Sequence, residues 1–212
     1  NYGADEIRPP VEAPFNASLA VALRAMADIC RKTAAAASQP YRPAEPAGAI
    51  SVEDIFLYAD YCEKTADSVT AAVRRVFRRE DGFFRSFSDR ESAPLTVLTQ
   101  SMCVLCGAAD TEGDAAKRIA DAIAANGSGS DSLVPATISM ACFRYDALLK
   151  LGGRDFIGVI LDEIDRDGKY MLDRGATAFW ETLKGDADFS NAGSLCHGWS
   201  AMAAYYYALL IE

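Results

Sequence analysis

Residues 51–76 read SVEDIFLYADYCEKTADSVTAAVRRV, and the fold class turns on this stretch. Ser51 followed by Asp54 is the start signal of a capping box, in which a hydroxyl and a carboxylate satisfy free N–H groups at a helix N-terminus. Ile55, Ala59, Cys62, Ala66, Val69, Val73 and Val76 then recur at three- and four-residue spacing, with charges on the other faces. Small residues in that seam suit close helix packing within a domain better than a coiled coil. Asp81-Gly82 is the predicted turn beyond the helix.

The same periodicity extends in both directions. Upstream, residues 16–33 carry an apolar stripe of Leu19, Leu23, Met26 and Ile29. Pro40, Pro43 and Pro46 make 36–50 an internal Pro-rich loop, because proline fixes φ and removes a donor. Downstream, helices are predicted over 95–108 and from Thr111 through Ile119 and Ile123, before a break at 126–131. Pro135 suits the first position of a further helix, closed by Gly152-Gly153. Another spans 156–171, with Asp167-Gly168 as a candidate break. The last, 194–211, is apolar on all sides and so expected to be an inner, buried element. No stretch alternates as a strand would. The expectation is a single all-α domain over 1–212, about eight helices stacked as antiparallel hairpins with no significant sheet.

Composition removes several function classes. Half of the 212 residues are hydrophobic and 24% are charged, enough for a well-buried core. The net charge is −9 and no Lys/Arg cluster stands out, which excludes nucleic acid and anionic membrane surfaces as expected partners. No apolar run approaches the ~20 residues that span a bilayer. The opening NYGADEIRPP is neither basic nor apolar, so it does not read as a signal peptide, and a cytoplasmic location is expected. Lacking an initiator Met, the chain reads as processed or as part of something longer. The six cysteines sit in apolar helical contexts and read as small core hydrophobes in a reducing compartment. Cys103 and Cys106 form a C-x-x-C without a second pair, and His197 is the only histidine, so no metal and no cofactor is expected.

Two local sequences stand apart: GATAFWETL at 175–183 and NAGSLCHGWSA at 191–201, joined by the acidic KGDADFS. They gather both tryptophans, the only histidine and Glu181. An indole face beside a carboxylate is what a sugar site needs: a platform for C–H faces and a group that handles protons or hydroxyls. The plainer alternative is that the tryptophans are core, the histidine structural and Glu181 a favourable charge at a helix start.

GATAFWE followed by SLCHGWSA resembles the C-terminal half of the catalytic domain of bacterial α-L-rhamnosidases. PFNASLAVALRAMADIC at 14–30, RREDGFFRSF at 78–87, LVPATISMACFRYDALLKLGG at 133–153 and IGVILDEIDRDGKYML at 157–172 extend the resemblance across 15–210. It implies a partial (α/α)6 toroid of six helical hairpins and an inverting glycoside hydrolase acting on a carbohydrate such as a rhamnoside. Glu181 falls where the family has its general base, Trp180 where a residue lines the sugar pocket, and His197 where one contacts a sugar hydroxyl. Thr177 and Trp199 join them as substrate-binding candidates, and Asp188 as a hydroxyl-binding candidate. Two departures stand out. Ala178 replaces the second Thr of the motif, and the D-x-R-D-E motif carrying the general acid is missing; REDG at 79–82 and SDRE at 88–91 lack its pattern.

Twelve helices with loops need on the order of 300 residues, so the sequence reads as the later two-thirds of a toroid. An open toroid leaves apolar inner helices uncovered. The expected cover is a missing N-terminal segment or a homo-oligomer; a repacked bundle is the third outcome. Two other functions fit the same residues: a non-catalytic helical module binding carbohydrate or protein, and a six-hairpin enzyme for another sugar.

Overall fold

The computed structural model describes residues 11–37, 50–128 and 133–211. Most of the Pro-rich loop, with Pro40, Pro43 and Pro46, lies outside them. Among the described residues seven helices of two or more turns form: α1 (Ala13–Ala37), α2 (Val52–Phe77), α3 (Val97–Leu105), α4 (Gly113–Ala125), α5 (Ala141–Gly152), α6 (Ile157–Leu172) and α7 (Met202–Leu210). Short 3-10 turns precede α5, α6 and α7, and bridge pairs are isolated, so the all-α class holds.

The helices make two rows. The inner row is α1, α3, α5 and α7; α2 packs behind α1, α4 behind α3 and α5, and α6 beside α7. This is an arc of an α/α toroid. Its inner row is closed at α7 by Tyr206, whose hydroxyl donates to Asp146 (2.6 Å) and whose ring meets Tyr145 edge-on at 5.1 Å.

The α1–α2 hairpin is held by small residues. Ala17, Ala20, Ala27 and Ala34 of α1 and Ala59, Cys62 and Ala66 of α2 are fully buried, which lets the two axes approach closely. The sequence stripe Leu19–Leu23–Met26–Ile29 is split: Leu23 packs against Ala27, Ala59 and Cys62 at this seam, whereas Leu19, Met26 and Ile29 are exposed, as is Phe15 at 73%. These four exposed side chains project from one open end of the arc. At Ser51 the cap forms: the Asp54 N–H donates to Ser51 Oγ (3.0 Å), and the hydroxyl donates to the Asp54 carboxylate (2.6 Å). α2 ends at Phe77, because the Arg79 N–H donates to Phe83 O and the Arg85 N–H to Phe77 O, folding the chain back through Asp81-Gly82.

One end of the arc gathers the N-termini of the inner helices. The Gln100 side chain of α3 pairs with both the N–H and the C=O of Phe84 (2.9 and 2.8 Å), and Ser86 bonds Thr99 (2.7 Å). The loop so fixed receives the start of α1, with Ala13 N–H on Ser86 O (2.9 Å). Val134 pairs with Leu95 and Val97 in the same region (2.8 and 2.9 Å). That pairing keeps 134–137 extended, so Pro135 does not open a helix; α5 starts at Ala141 after a 3-10 turn at Ile138–Met140.

Two further expectations change. α6 runs unbroken through Asp167-Gly168, since one internal glycine costs a helix only about 1 kcal/mol. The last helix starts at Met202, and it is not buried: Tyr206 alone is enclosed, while Tyr205, Leu209 and Ile211 are exposed. Its apolar surface forms the second open end of the arc.

The hairpins behind the site are tied by a buried ion pair. Arg144 of α5 is 1% exposed and Glu163 of α6 is 6% exposed. Their side chains bond directly, and Tyr145 donates its hydroxyl to the same carboxylate (3.1 Å). The guanidinium also donates to Ile123 O (2.7 Å) and Ala124 O (2.9 Å), placing positive charge on the last carbonyls of α4. Burial pulls the Arg144 pKa down and pushes the Tyr145 hydroxyl up. Removing one partner strands a buried charge, a change that costs about 3–5 kcal/mol. Glu163→Ala should therefore lose about that much stability in urea unfolding, and Lys117→Ala, which breaks an exposed pair, under about 1 kcal/mol. Equal losses in the two variants would contradict the three-helix tie.

Candidate active site

Between α6 and α7 the chain runs through the two motif segments without regular helix, apart from short turns, at the end of the arc where the inner-helix N-termini lie. They pair through backbone. The Glu181 N–H donates to Ser194 O (2.9 Å) and the His197 N–H to Phe179 O (2.8 Å). The pairing sets GATAFWE alongside SLCHGWSA, so residues 13 apart in sequence meet at Glu181 and Ser194. Glu181 is half-buried, and the Ser194 N–H reaches its Oε2 at 3.3 Å. His197 is half-buried, and its ring meets the Trp199 indole edge-on at 5.6 Å. Trp199 itself is 72% exposed, an indole face open to solvent beside the imidazole.

The remaining predicted site residues are distributed around this pair. The half-buried Trp180 ring lies over Gly185, where a Cβ would stand 3.2–3.3 Å from the indole, and its backbone N–H points at Met171 Sδ (3.5 Å). Asp188 has both carboxylate oxygens engaged inside the connecting loop: one accepts from the Thr182 hydroxyl (2.8 Å), the other from the Phe189 N–H (2.9 Å), with Lys184 at 3.7 Å. Thr177 stands elsewhere. It lines an apolar hollow of about 980 Å³ between α6 and α7, with Met171, Leu172, Phe179 and Tyr207; Glu181, Trp180, His197 and Trp199 do not line it. That hollow offers aliphatic and aromatic walls rather than converging polar groups. The sequence points to Ser194 within its segment but not to its backbone role, and it does not single out Phe179 or Gly185; the glycines are the available signal.

Cys62, Cys103 and Cys106 are buried packing residues and Cys30 and Cys142 are half-buried, but Cys196 is exposed beside His197 and is not the core residue the sequence suggested. Burial pushes the Cys103, Cys106 and Cys142 thiols up, away from the reactive thiolate.

No protein-family model matches the sequence, and no curated protein matches it. Among solved structures the arc of helical hairpins finds a match, and the chain is α-L-rhamnosidase-like in fold. The matching structure is the crystal structure of the GH78 family rhamnosidase of Bacillus sp. GL1, with a TM-score of 0.68 and 23% sequence identity. The match covers 96% of this chain and 20% of that one.

The Thr182 hydroxyl and the Phe189 N–H hold the Asp188 carboxyl below the usual carboxylate range. A depressed folded-state pKa stabilises above the unfolded value of about 3.9 and is lost as pH falls through the folded value. The loop should thus be constant from neutral pH to about pH 5 and loosen below about pH 4. In a Trp199→Phe chain, where Trp180 is the remaining tryptophan, its fluorescence should change over that acid range. Asp188→Asn should remove the step; an unchanged step would show that another group causes it.

Proposed function

We propose that the chain is part of a glycoside hydrolase of α-L-rhamnosidase type, with Glu181 as the base that activates water. The observation that carries this reading is the backbone pairing of the two motif segments, which brings a half-buried carboxylate and an open indole–imidazole pair onto one short stretch of paired chain. The fold likeness supports the same class at its coarsest level.

In this reading a sugar ring lies against Trp199, with His197 donating to or accepting from a ring hydroxyl and Trp180 backing the wall. Asp188 holds the loop from which these groups act. Glu181 takes a proton from a water molecule while the water oxygen attacks the anomeric carbon from the face opposite the leaving group. The glycosidic oxygen departs with a proton from a second carboxylic acid, and the anomeric configuration inverts. Inverting chemistry places those two carboxyl groups roughly 6.5–9.5 Å apart. The sequence holds no D-x-R-D-E motif, so the acid is supplied by protein outside these 212 residues. The expected partners are a rhamnoside or related carbohydrate and the segment or second copy that covers the open arc.

A second reading has its own observation: one motif carboxylate without its acid partner, with a 72% exposed indole on the segment paired to it, also suits a module that binds sugar without cleaving it. Glu181→Gln separates the two. In the protein that carries this chain and its acid, the variant should lower kcat on an aryl α-L-rhamnoside by about 10²–10⁴-fold, the size of a general-base contribution. Full activity would remove Glu181 from the chemistry. Sugar binding without turnover in the unmodified protein would favour the module.

A further inference from the structure

The loop 185–193 between the motif segments is closed more tightly than its length requires. Gly193 passes the Gly185 carbonyl so closely that a methyl group on Gly193 would overlap the Gly185 oxygen. Gly185 in turn sits at φ +59 under the Trp180 ring. Asp188 ties the interior: its C=O accepts both the Ala192 and Gly193 N–H groups (2.9 and 3.1 Å), while its carboxylate takes Thr182 and Phe189. Phe189, Ser190 and Asn191 are all left-handed, at φ 50, 62 and 66. Of these only Asn is at ease there; each of the others costs about 1–2 kcal/mol. A run of such residues persists only where the surroundings over-determine it, and it is found at functional sites.

What the closed loop delivers is the next residue. Ser194 leaves Gly193 with its C=O accepting from the Glu181 N–H and its own N–H turned onto Glu181 Oε2. The Ser194 hydroxyl is used elsewhere, on Cys196 O (2.9 Å) and the Cys196 N–H (3.2 Å). Glu181 Oε1 has no hydrogen bond among the described residues. We infer that Gly193 and Ser194 are positioning residues for Glu181. The close pass at Gly193 aims one backbone N–H at one carboxylate oxygen, fixing the rotamer and leaving the second oxygen to take a proton from water. A positioned group of this kind has to be held to within about 0.5 Å, and a backbone donor is a rigid way to do so. Any residue at 194 other than proline can serve, but at 193 only glycine fits. This inference rests on the glycosidase reading for its purpose, though not for its geometry.

Amide hydrogen exchange tests the geometry without any activity. In the chain as it stands, the Ser194 N–H should be protected, and Glu181→Ala should speed its exchange at least tenfold. Glu181→Gln, which keeps a carbonyl acceptor, should restore most of the protection, and Ser194→Ala should leave the amide as it was. Gly193→Ala should expose the amide as Glu181→Ala does, with α3 amides unchanged as a check on folding. In hydrolysis of an aryl α-L-rhamnoside by the protein that supplies the acid, Gly193→Ala should lower kcat at least tenfold with KM within about twofold. A Ser194 amide that is unprotected, or is indifferent to Glu181→Ala, overturns the inference, as does Gly193→Ala with unchanged kcat. If Gly193→Ala fails to fold, the Glu181 and Ser194 variants decide alone. If Glu181→Gln leaves hydrolysis unchanged, the catalytic reading fails while the exchange result still decides the positioning.

Discussion

Two backbone hydrogen bonds, Glu181 to Ser194 and His197 to Phe179, join the stretches that precede α7 into one unit. Without them Glu181 and the His197–Trp199 pair would lie on separate loops, each free to turn away from the other. Backbone pairing fixes them independently of side-chain identity, so the arrangement survives on an irregular segment that lacks helical support. The helices contribute a frame: the buried Arg144–Glu163 tie fixes α5 and α6 against the end of α4, and Tyr206 docks α7 on α5. The segment from 175 to 201 is strung between α6 and α7, two elements that are thus already anchored.

The arc explains where the apolar surface goes. The hairpin seam of α1 and α2 is lined with alanines and Cys62, while Phe15, Leu19, Met26 and Ile29 stand out at one end and Tyr205, Leu209 and Ile211 at the other. Exposed rows of this size are unusual on a monomeric domain. Both rows fall at the ends of the inner row, where a toroid would place further hairpins. The 980 Å³ hollow between α6 and α7 is part of the same surface, which accounts for its apolar walls and for its separation from Glu181.

Much of the helical frame is written locally. The Ser51–Asp54 cap and the Ala59–Cys62–Ala66–Val73 spacing specify α2 directly, and the glycine pair at 152–153 does mark the close of α5. What local pattern could not carry is which face of a helix meets a neighbour. The apolar stripe of α1 looks like a core face, yet of its four residues Leu23 alone packs inward while the alanines of the helix are buried, because the seam rewards close approach and the arc is open beside the larger residues. Likewise Pro135 suits a helix start, but Val134 is taken by Leu95 and Val97, a pairing some 40 residues distant in sequence. At the site, the residue types were legible in GATAFWE and SLCHGWSA; their contacts were not. The inward use of the Asp188 carboxylate and the Ser194 N–H on Glu181 depend on a loop conformation with three left-handed residues, which no periodicity encodes.

Glu181, His197 and Trp199 make up a functional site only if a sugar enters among them. Titrating L-rhamnose into the ¹⁵N-labelled chain and following amide and indole resonances addresses this most directly. Saturable shifts at the Trp199 indole, His197 and Ser194, with the residues lining the α6–α7 hollow unmoved, are the predicted result. Shifts confined to that hollow, or none at the indole–imidazole pair at saturating sugar, would contradict it.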